Sequence, residues 1–135
     1  MRSQVGRLRL APTSRVSYVS RLETLLKESA PRLLVTHQVE FKNCFGAVAG
    51  YVDGHIFVSC GKFGVALRLP PETLAELFRA EDVSRLRYFP KGHVKREYAV
   101  VSQRMMDDRG GFKRLVATSV KYALSSSATV TKPSG

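Results

Sequence analysis

Residues 47–60, AVAGYVDGHIFVSC, are the most informative segment for predicting the fold. Two runs of alternating, mostly apolar residues flank Asp53-Gly54. This dipeptide favours a two-residue hairpin turn, because both central positions of such a turn need positive φ. Pairing outward from the turn sets Val52 opposite His55. The sequence therefore predicts a β-hairpin centred on residues 53–54.

The alternation also predicts which side chains meet the core, since successive side chains of a strand point to opposite faces. The face expected to pack on helices collects Phe45, Ala47, Ala49, Tyr51, Ile56, Val58 and Cys60. The opposite face collects Cys44, Val48, Val52, His55 and Phe57, together with three glycines. The two cysteines are thereby predicted to remain separate thiols on opposite faces.

The segments beside this hairpin extend it into a meander. Upstream, VEFKN (39–43) is strand-like, and downstream a turn leads into GVALRL (64–69). Because the alternation starts at Val39 and runs through Phe45 into the first strand of the hairpin, the meander is predicted to have three strands. A helix is predicted over residues 17–29, where apolar side chains recur at helical spacing until Pro31 ends it.

After the meander, Pro70-Pro71 opens a second helix, since proline suits the first helical position. Two short strands are predicted near residues 86–89 and 97–101. A last helix follows and reaches about Ala123. The order is helix, three strands, helix, two strands, helix, which predicts an α+β domain with an antiparallel sheet packed by helices.

The domain is expected to span residues 17–124. Residues 1–16 carry several arginines and no acid. This composition favours a basic disordered arm, while an organelle transit peptide or extra residues from an upstream start stay open. Residues 125–135 are rich in Ser, Thr, Pro and Gly and are predicted to form a disordered tail.

Positive charge is the strongest functional signal. Lys and Arg number 22 against 11 Asp and Glu, a formal net charge of +11, and such an excess favours an anionic partner. The cations that we single out as a candidate binding surface are Arg85, Arg87, Lys91, Lys95, Arg96, Lys113, Arg114 and Lys121. They either contact phosphates or simply solvate this side of the protein. The sequence has no helix-turn-helix, zinc-finger or RRM signature that would favour the phosphate-binding interpretation over simple solvation.

The residues that could carry catalysis are few. The three histidines and two cysteines lack the short spacing of metal ligands, and Gly61-Lys62 lacks the P-loop pattern. We therefore expect no catalytic, metal or cofactor site. The alternative is a small enzyme that uses Cys60 or His55. Two cysteines, no membrane-spanning run and no apolar leader predict a cytoplasmic protein with no membrane partner.

Several short motifs occur together in a distinctive order. They are Phe45-Gly46, Gly50-Tyr51, Asp53-Gly54, Phe57, Leu67-Arg68-Leu69, Phe89-Pro90 and Glu97-Tyr98. On these motifs the chain, over residues 16–124, resembles the TfoX N-terminal domain family, the Sxy-like or competence-regulator-like proteins of bacteria. The resemblance implies a secretion-chaperone-like α+β fold and a bacterial cytoplasmic protein, and it brings no catalytic residues. Full-length competence regulators carry a second helical domain, for which this chain leaves no room, so the competence role is not carried over.

Taken together, these features predict a non-enzymatic regulatory or interaction module that binds a protein partner or nucleic acid. The competing classes are the enzyme named above and an oligomerising scaffold that uses a sheet edge or face, which would make the protein a homo-oligomer.

Overall fold

A computed structural model of the chain describes residues 15–80, 83–88 and 92–131. Its elements in chain order are α1 (Arg15–Ser29), α2 (Leu33–Thr36), β1 (Val39–Cys44), β2 (Ala47–Val52), β3 (His55–Gly61), β4 (Gly64–Arg68), α3 (Pro71–Ala80), β5 (Val83–Leu86), β6 (Lys95–Val101), α4 (Gln103–Asp107) and α5 (Arg109–Thr131). The strands form one antiparallel sheet in the order β1-β2-β3-β4-β6-β5. The predicted α+β class is confirmed.

The hairpin at the centre of the sheet forms as predicted. Asp53 and Gly54 have φ values of 49° and 86°, the left-handed conformation that a tight two-residue turn requires. Val52 lies opposite His55 in the β2–β3 ladder. Local turn chemistry therefore sets the start of this register.

A second turn of the same kind makes the meander four-stranded, where three strands were predicted. Phe45 and Gly46 have φ values of 51° and 82°, so the chain reverses between β1 and β2. The sequence concealed this turn because a bulky aromatic residue seldom adopts positive φ. Phe45 therefore belongs to a turn and not to a strand face.

A β-bulge overturns the predicted assignment of faces. The register shifts after Gly50, which lies opposite Val58, so that Phe57 is the extra residue on β3. Cys60 consequently lies opposite Val48. Val58 and Cys60 thus share the face of Val48 and pack on the helices as predicted. In β2 the prediction is wrong: Val48 and Val52, expected on the opposite face, lie in this core, whereas Ala47 and Ala49 lie on the second face. At Gly50, an added Cβ would lie 2.7 Å from the Val58 side chain, so glycine suits the close approach beside the bulge.

One face of the sheet packs on the helices. Helices α1 and α5 lie on β2 and β3, α5 also contacts β4, and α3 covers β5 and β6. The fully buried apolar side chains in this layer include Leu22, Leu26, Val48, Val52, Val58, Cys60, Val65, Leu67, Val116 and Ala123. Pairs across the ladders place Ala49, Ser59 and Ala66 on the second face.

Several boundaries differ from the predicted ones. Strand β5 spans Val83–Leu86 instead of residues 86–89, and helices α2 and α4 were not predicted. Helix α5 ends at Thr131 instead of near Ala123. Extending an existing helix adds one hydrogen bond per residue without a new nucleus. Residues 1–14 and 132–135, which include most of the predicted arm, lie outside the described residues. Among the described helices, none has the combination of length and apolar character that crossing a bilayer requires.

Candidate interaction surfaces

The outer side of α5 carries a group of cations that we call the α5 basic face: Lys113, Arg114 and Lys121. All three residues are exposed, while the apolar side of the helix packs on the sheet. The helix contains no Asp or Glu between Arg109 and Thr131. The face is therefore a helical surface of a single charge sign.

The cations of the α5 basic face have no internal partners in the described part of the chain. Ion pairs with N···O distances up to 4.0 Å join other residues, namely His37–Asp53, Lys42–Glu40 and Arg68–Glu97. Exposed Ala117 lies one helical turn from Lys113 and Lys121, so a small side chain separates them. Arg32 lines the same shallow hollow as Lys113 and Ala117 and adds a further cation. Sequence reasoning missed Arg32 because only the packing of α5 near the α1–α2 connection brings it there.

The other predicted cations lie around the β5–β6 hairpin, where Arg85, Arg87 and Lys95 make internal contacts. The guanidinium of Arg85 lies 4.2 Å from the ring centroid of Phe78, a cation–π contact that ties β5 to α3. Arg87 donates a 2.8 Å hydrogen bond to the carbonyl of Gly92 and so ties the two ends of the connection. Arg85 and Arg87 therefore stabilise the contacts of the β5–β6 hairpin.

The remaining members of this group differ from one another. The ammonium of Lys95 lies 5.9 Å from the Tyr88 ring centroid. Arg96 is exposed on β6, and Lys91 lies outside the described residues. The hairpin group and the α5 basic face occupy different parts of the sheet, since α3 covers β5 and β6 while α5 packs on β2 to β4. The structure therefore divides the predicted basic stretch into two surfaces.

An aromatic cluster covers the second face of the sheet. The hydroxyls of Tyr88 and Ser59 lie 2.8 Å apart, and the Tyr88 ring packs against the rings of Phe45 and Phe63, at centroid distances of 5.4 and 5.6 Å. Burial raises the pKa of Tyr88 and of Tyr98 well above the ordinary tyrosine value. Both phenols stay protonated near neutral pH, and Tyr88 serves as a packing and hydrogen-bonding group. Sequence reasoning missed this cluster because the bulge decides which face it occupies.

The residues of the predicted enzyme alternative lie apart. Cys60 is fully buried on the helix side of the sheet. Burial raises the pKa of its thiol, and Arg21 on α1 lowers it by less. His55 is the first residue of the same strand, five positions before Cys60. At the usual rise per residue of a β-strand, the two residues lie roughly 15 Å apart. The structure therefore does not bring Cys60 and His55 together as a nucleophile–base pair. Cys44 is the second free thiol and is half-buried.

Two further kinds of site are metal-ligand groups and cavities that could bind an anion. Within the described ranges, no three His, Cys, Asp or Glu side chains form a group that could hold a metal ion. A hollow of about 740 Å³ lies between α1 and the α4–α5 junction. Its charged lining includes Arg21, Arg109, Glu28 and Asp107. Because both signs are present, this hollow has no preference for an anion.

A model of the TfoX N-terminal domain matches residues 33–123. The match covers the whole described sheet and most of α5. The chain belongs to the TfoX N-terminal domain family. The resemblance seen in the sequence is thereby confirmed. No curated protein matches the chain.

Helix α1 of this TfoX N-terminal domain protein precedes the matched residues, yet it completes the core. Tyr18, Leu22 and Leu26 of α1 are buried against the sheet. The folded unit of this family member therefore begins before Leu33.

Proposed function

We propose that this protein is a non-enzymatic regulatory module of the bacterial cytoplasm whose α5 basic face binds the phosphate backbone of nucleic acid. The observation that carries the proposal is the set of three exposed cations on an acid-free helix, with no described carboxylate in ion-pair range. Cations without internal partners are free to replace the counterions of a polyanion, which is the main source of sequence-independent affinity.

The expected mode of binding is recognition of the backbone and not of the bases. Phosphate contacts fix position and orientation without reading sequence. The small side chain of Ala117 lets a sugar–phosphate strand approach the helix between Lys113 and Lys121. We therefore expect weak sequence preference and a strong dependence on salt.

The cysteines support the non-enzymatic and cytoplasmic parts of the proposal. A reactive cysteine needs an accessible, electropositive setting that stabilises its thiolate, whereas Cys60 is buried and its pKa is raised. Cys44 and Cys60 lie opposite Ala47 and Val48, which are consecutive residues and so face opposite sides of the sheet. Two thiols held apart in this way suit a reducing compartment.

The test is fluorescence anisotropy of labelled duplex and single-stranded oligonucleotides over a salt series. The wild-type chain is expected to bind at low salt, and the triple variant Lys113→Glu, Arg114→Glu, Lys121→Glu is expected to lose binding while keeping its circular dichroism spectrum. If each of the three cations contacts one phosphate of a duplex, together they contribute roughly 3 to the magnitude of the negative slope of log K against log salt for the wild-type chain.

The matched control reverses three other exposed cations, Lys27, Lys62 and Arg79, and so makes the same change in net charge. This control is expected to retain most of the binding. A second control replaces Arg2, Arg7 and Arg9 by Ala to remove the charge of the N-terminal segment. Equal losses in both triple variants, or no binding by the wild-type chain at low salt, would overturn the nucleic-acid proposal. An acidic protein partner would then be the better candidate for the same face.

A further inference from the structure

Strand β1 forms one edge of the sheet and has a strand neighbour on one side only, β2. In the described residues no other element packs extensively on it. An open edge of this kind presents unpaired backbone groups to any strand that can match it. The backbone and side chains of β1 restrict which strand can pair with it.

Hydrogen bonds of β1 to β2 show which backbone groups point outward. The carbonyl of Gln38, just before β1, accepts a 2.8 Å hydrogen bond from the amide of Asp53, so Gln38 faces the β2 side. Because backbone direction alternates along a strand, the amides and carbonyls of Val39, Phe41 and Asn43 point to the free edge. A partner strand must present its own outward residues opposite these three.

The charged side chains of β1 restrict the partner further. Glu40 and Lys42 lie on one face of the strand, with Oε1 and Nζ 3.8 Å apart and both side chains about half exposed. A lone lysine on an edge strand discourages pairing. With a glutamate two residues before it, the same edge becomes attractive to a strand that carries the reverse charge order.

We propose that the partner is a second copy of this chain, paired antiparallel through β1 about a two-fold axis at Phe41. In this register Phe41 lies opposite Phe41 of the second copy, and Val39 lies opposite Asn43, so every outward-pointing backbone group finds a partner. Glu40 lies opposite Lys42 of the second copy, and the reverse pair forms by symmetry. Axes at Glu40 or at Lys42 would instead oppose like charges, which destabilise a sheet.

Local charge supports self-association at this edge. The whole chain carries a formal net charge of +11, so two copies repel each other over most orientations. On β1 the charges of Glu40 and Lys42 cancel, so the two β1 edges themselves do not repel each other. The assembly would form one continuous sheet across both copies. It uses no residue of the α5 basic face.

The first experiment is sedimentation equilibrium of the full chain from micromolar to millimolar concentration. We expect a monomer–dimer equilibrium that weakens roughly tenfold or more in Glu40→Lys and in Lys42→Glu, because each change turns attractive cross-strand pairs into repulsive ones. The double variant with both changes restores opposite charges and is expected to dimerise like the wild type. The two single variants, mixed in equal amounts, are expected to form a heterodimer.

Charge-matched controls are Glu23→Lys on α1 and Lys62→Glu in the β3–β4 turn, both at exposed positions. They are expected to leave the dimer unchanged. Hydrogen exchange of the Val39, Phe41 and Asn43 amides supplies an independent readout, since their protection should rise with protein concentration. A chain that is monomeric throughout the concentration series overturns the proposal. A dimer whose dissociation constant is unchanged by the charge reversals at positions 40 and 42 overturns it as well. Protection of these amides at every concentration in a monomer would show that another part of the chain covers the edge.

Discussion

At Gly54 the free-energy cost of adding a side chain arises from the positive φ of the backbone. The residue has φ +86°, and an added Cβ would meet no atom within 4 Å, so steric crowding plays no part. We predict that Gly54→Val lowers the free energy of unfolding by about 1–2 kcal/mol, because L-residues disfavour the left-handed conformation by that amount and β-branched ones resist it most.

The matched control is Gly110→Ala in the first turn of α5. There an added Cβ lies 3.6 Å from the Arg114 side chain, an ordinary contact, and alanine favours the helix by roughly 0.5–1 kcal/mol. Urea unfolding should therefore move the two midpoints in opposite directions. An unchanged midpoint for Gly54→Val would contradict the tight β2–β3 turn.

The two cysteines should differ sharply in reactivity. Cys60 is fully buried, and burial raises its pKa, so little of it is thiolate near neutral pH. We predict that iodoacetamide modifies Cys44 first and reaches Cys60 only after denaturation, as read by peptide mass spectrometry. Rapid and selective labelling of Cys60 in the folded protein would instead revive the enzyme hypothesis.

Among the structural elements, α5 and β3 are joined at the β-bulge. The bulge takes Phe57 out of the regular ladder, and the buried hydroxyl of Ser119 donates a 2.8 Å hydrogen bond to its carbonyl. We predict that Ser119→Ala lowers the free energy of unfolding by about 1–3 kcal/mol, since a buried carbonyl loses its partner.

The neighbouring Thr118→Ala serves as the control for this prediction. Its hydroxyl bonds to the Arg114 carbonyl within the same exposed stretch of helix, so its loss should change stability by about 0.5 kcal/mol or less. Thermal and urea unfolding of both variants measure the difference. Equal effects would mean that the contact between α5 and the bulge contributes little.

For the molecule as a whole, the excess of positive charge opposes folding. A formal net charge of +11 produces self-repulsion that salt screens. We predict that the melting temperature rises between about 0.01 M and about 0.1 M salt, as the Debye length falls from roughly 30 Å to roughly 10 Å. Differential scanning calorimetry at fixed pH measures this rise.

The triple variant of the α5 basic face tests the origin of that rise. Each of its three reversals removes one positive charge and adds one negative charge, so its formal net charge is +5 instead of +11. We expect the variant to be at least as stable as the wild type at low salt and to respond less to added salt. A wild-type melting temperature that falls with salt would show that attractive ion pairs outweigh the repulsion.

Features with local causes could be predicted from the amino-acid sequence. Asp53-Gly54 specifies its turn because the two residues tolerate positive φ. Proline positions and apolar spacing predicted α1, α3 and α5, and the order of elements predicted the α+β class. The same reasoning recognised the family and found the exposed cations of α5, since a helix shows its polar side in its periodicity.

Features that depend on contacts between residues distant in the chain became visible in the folded structure. The bulge after Gly50 puts Val48 on the face of Val58 and Cys60 in place of Ala47, because Phe57 is accommodated against Ser119 on a helix far along the chain. Packing also divided the basic stretch into two surfaces, since α3 and α5 cover different strands. Alternation along one strand cannot foresee an inserted residue, and spacing along the chain cannot foresee which helix covers which strand. The physical reason is that both are settled by the close packing of the core.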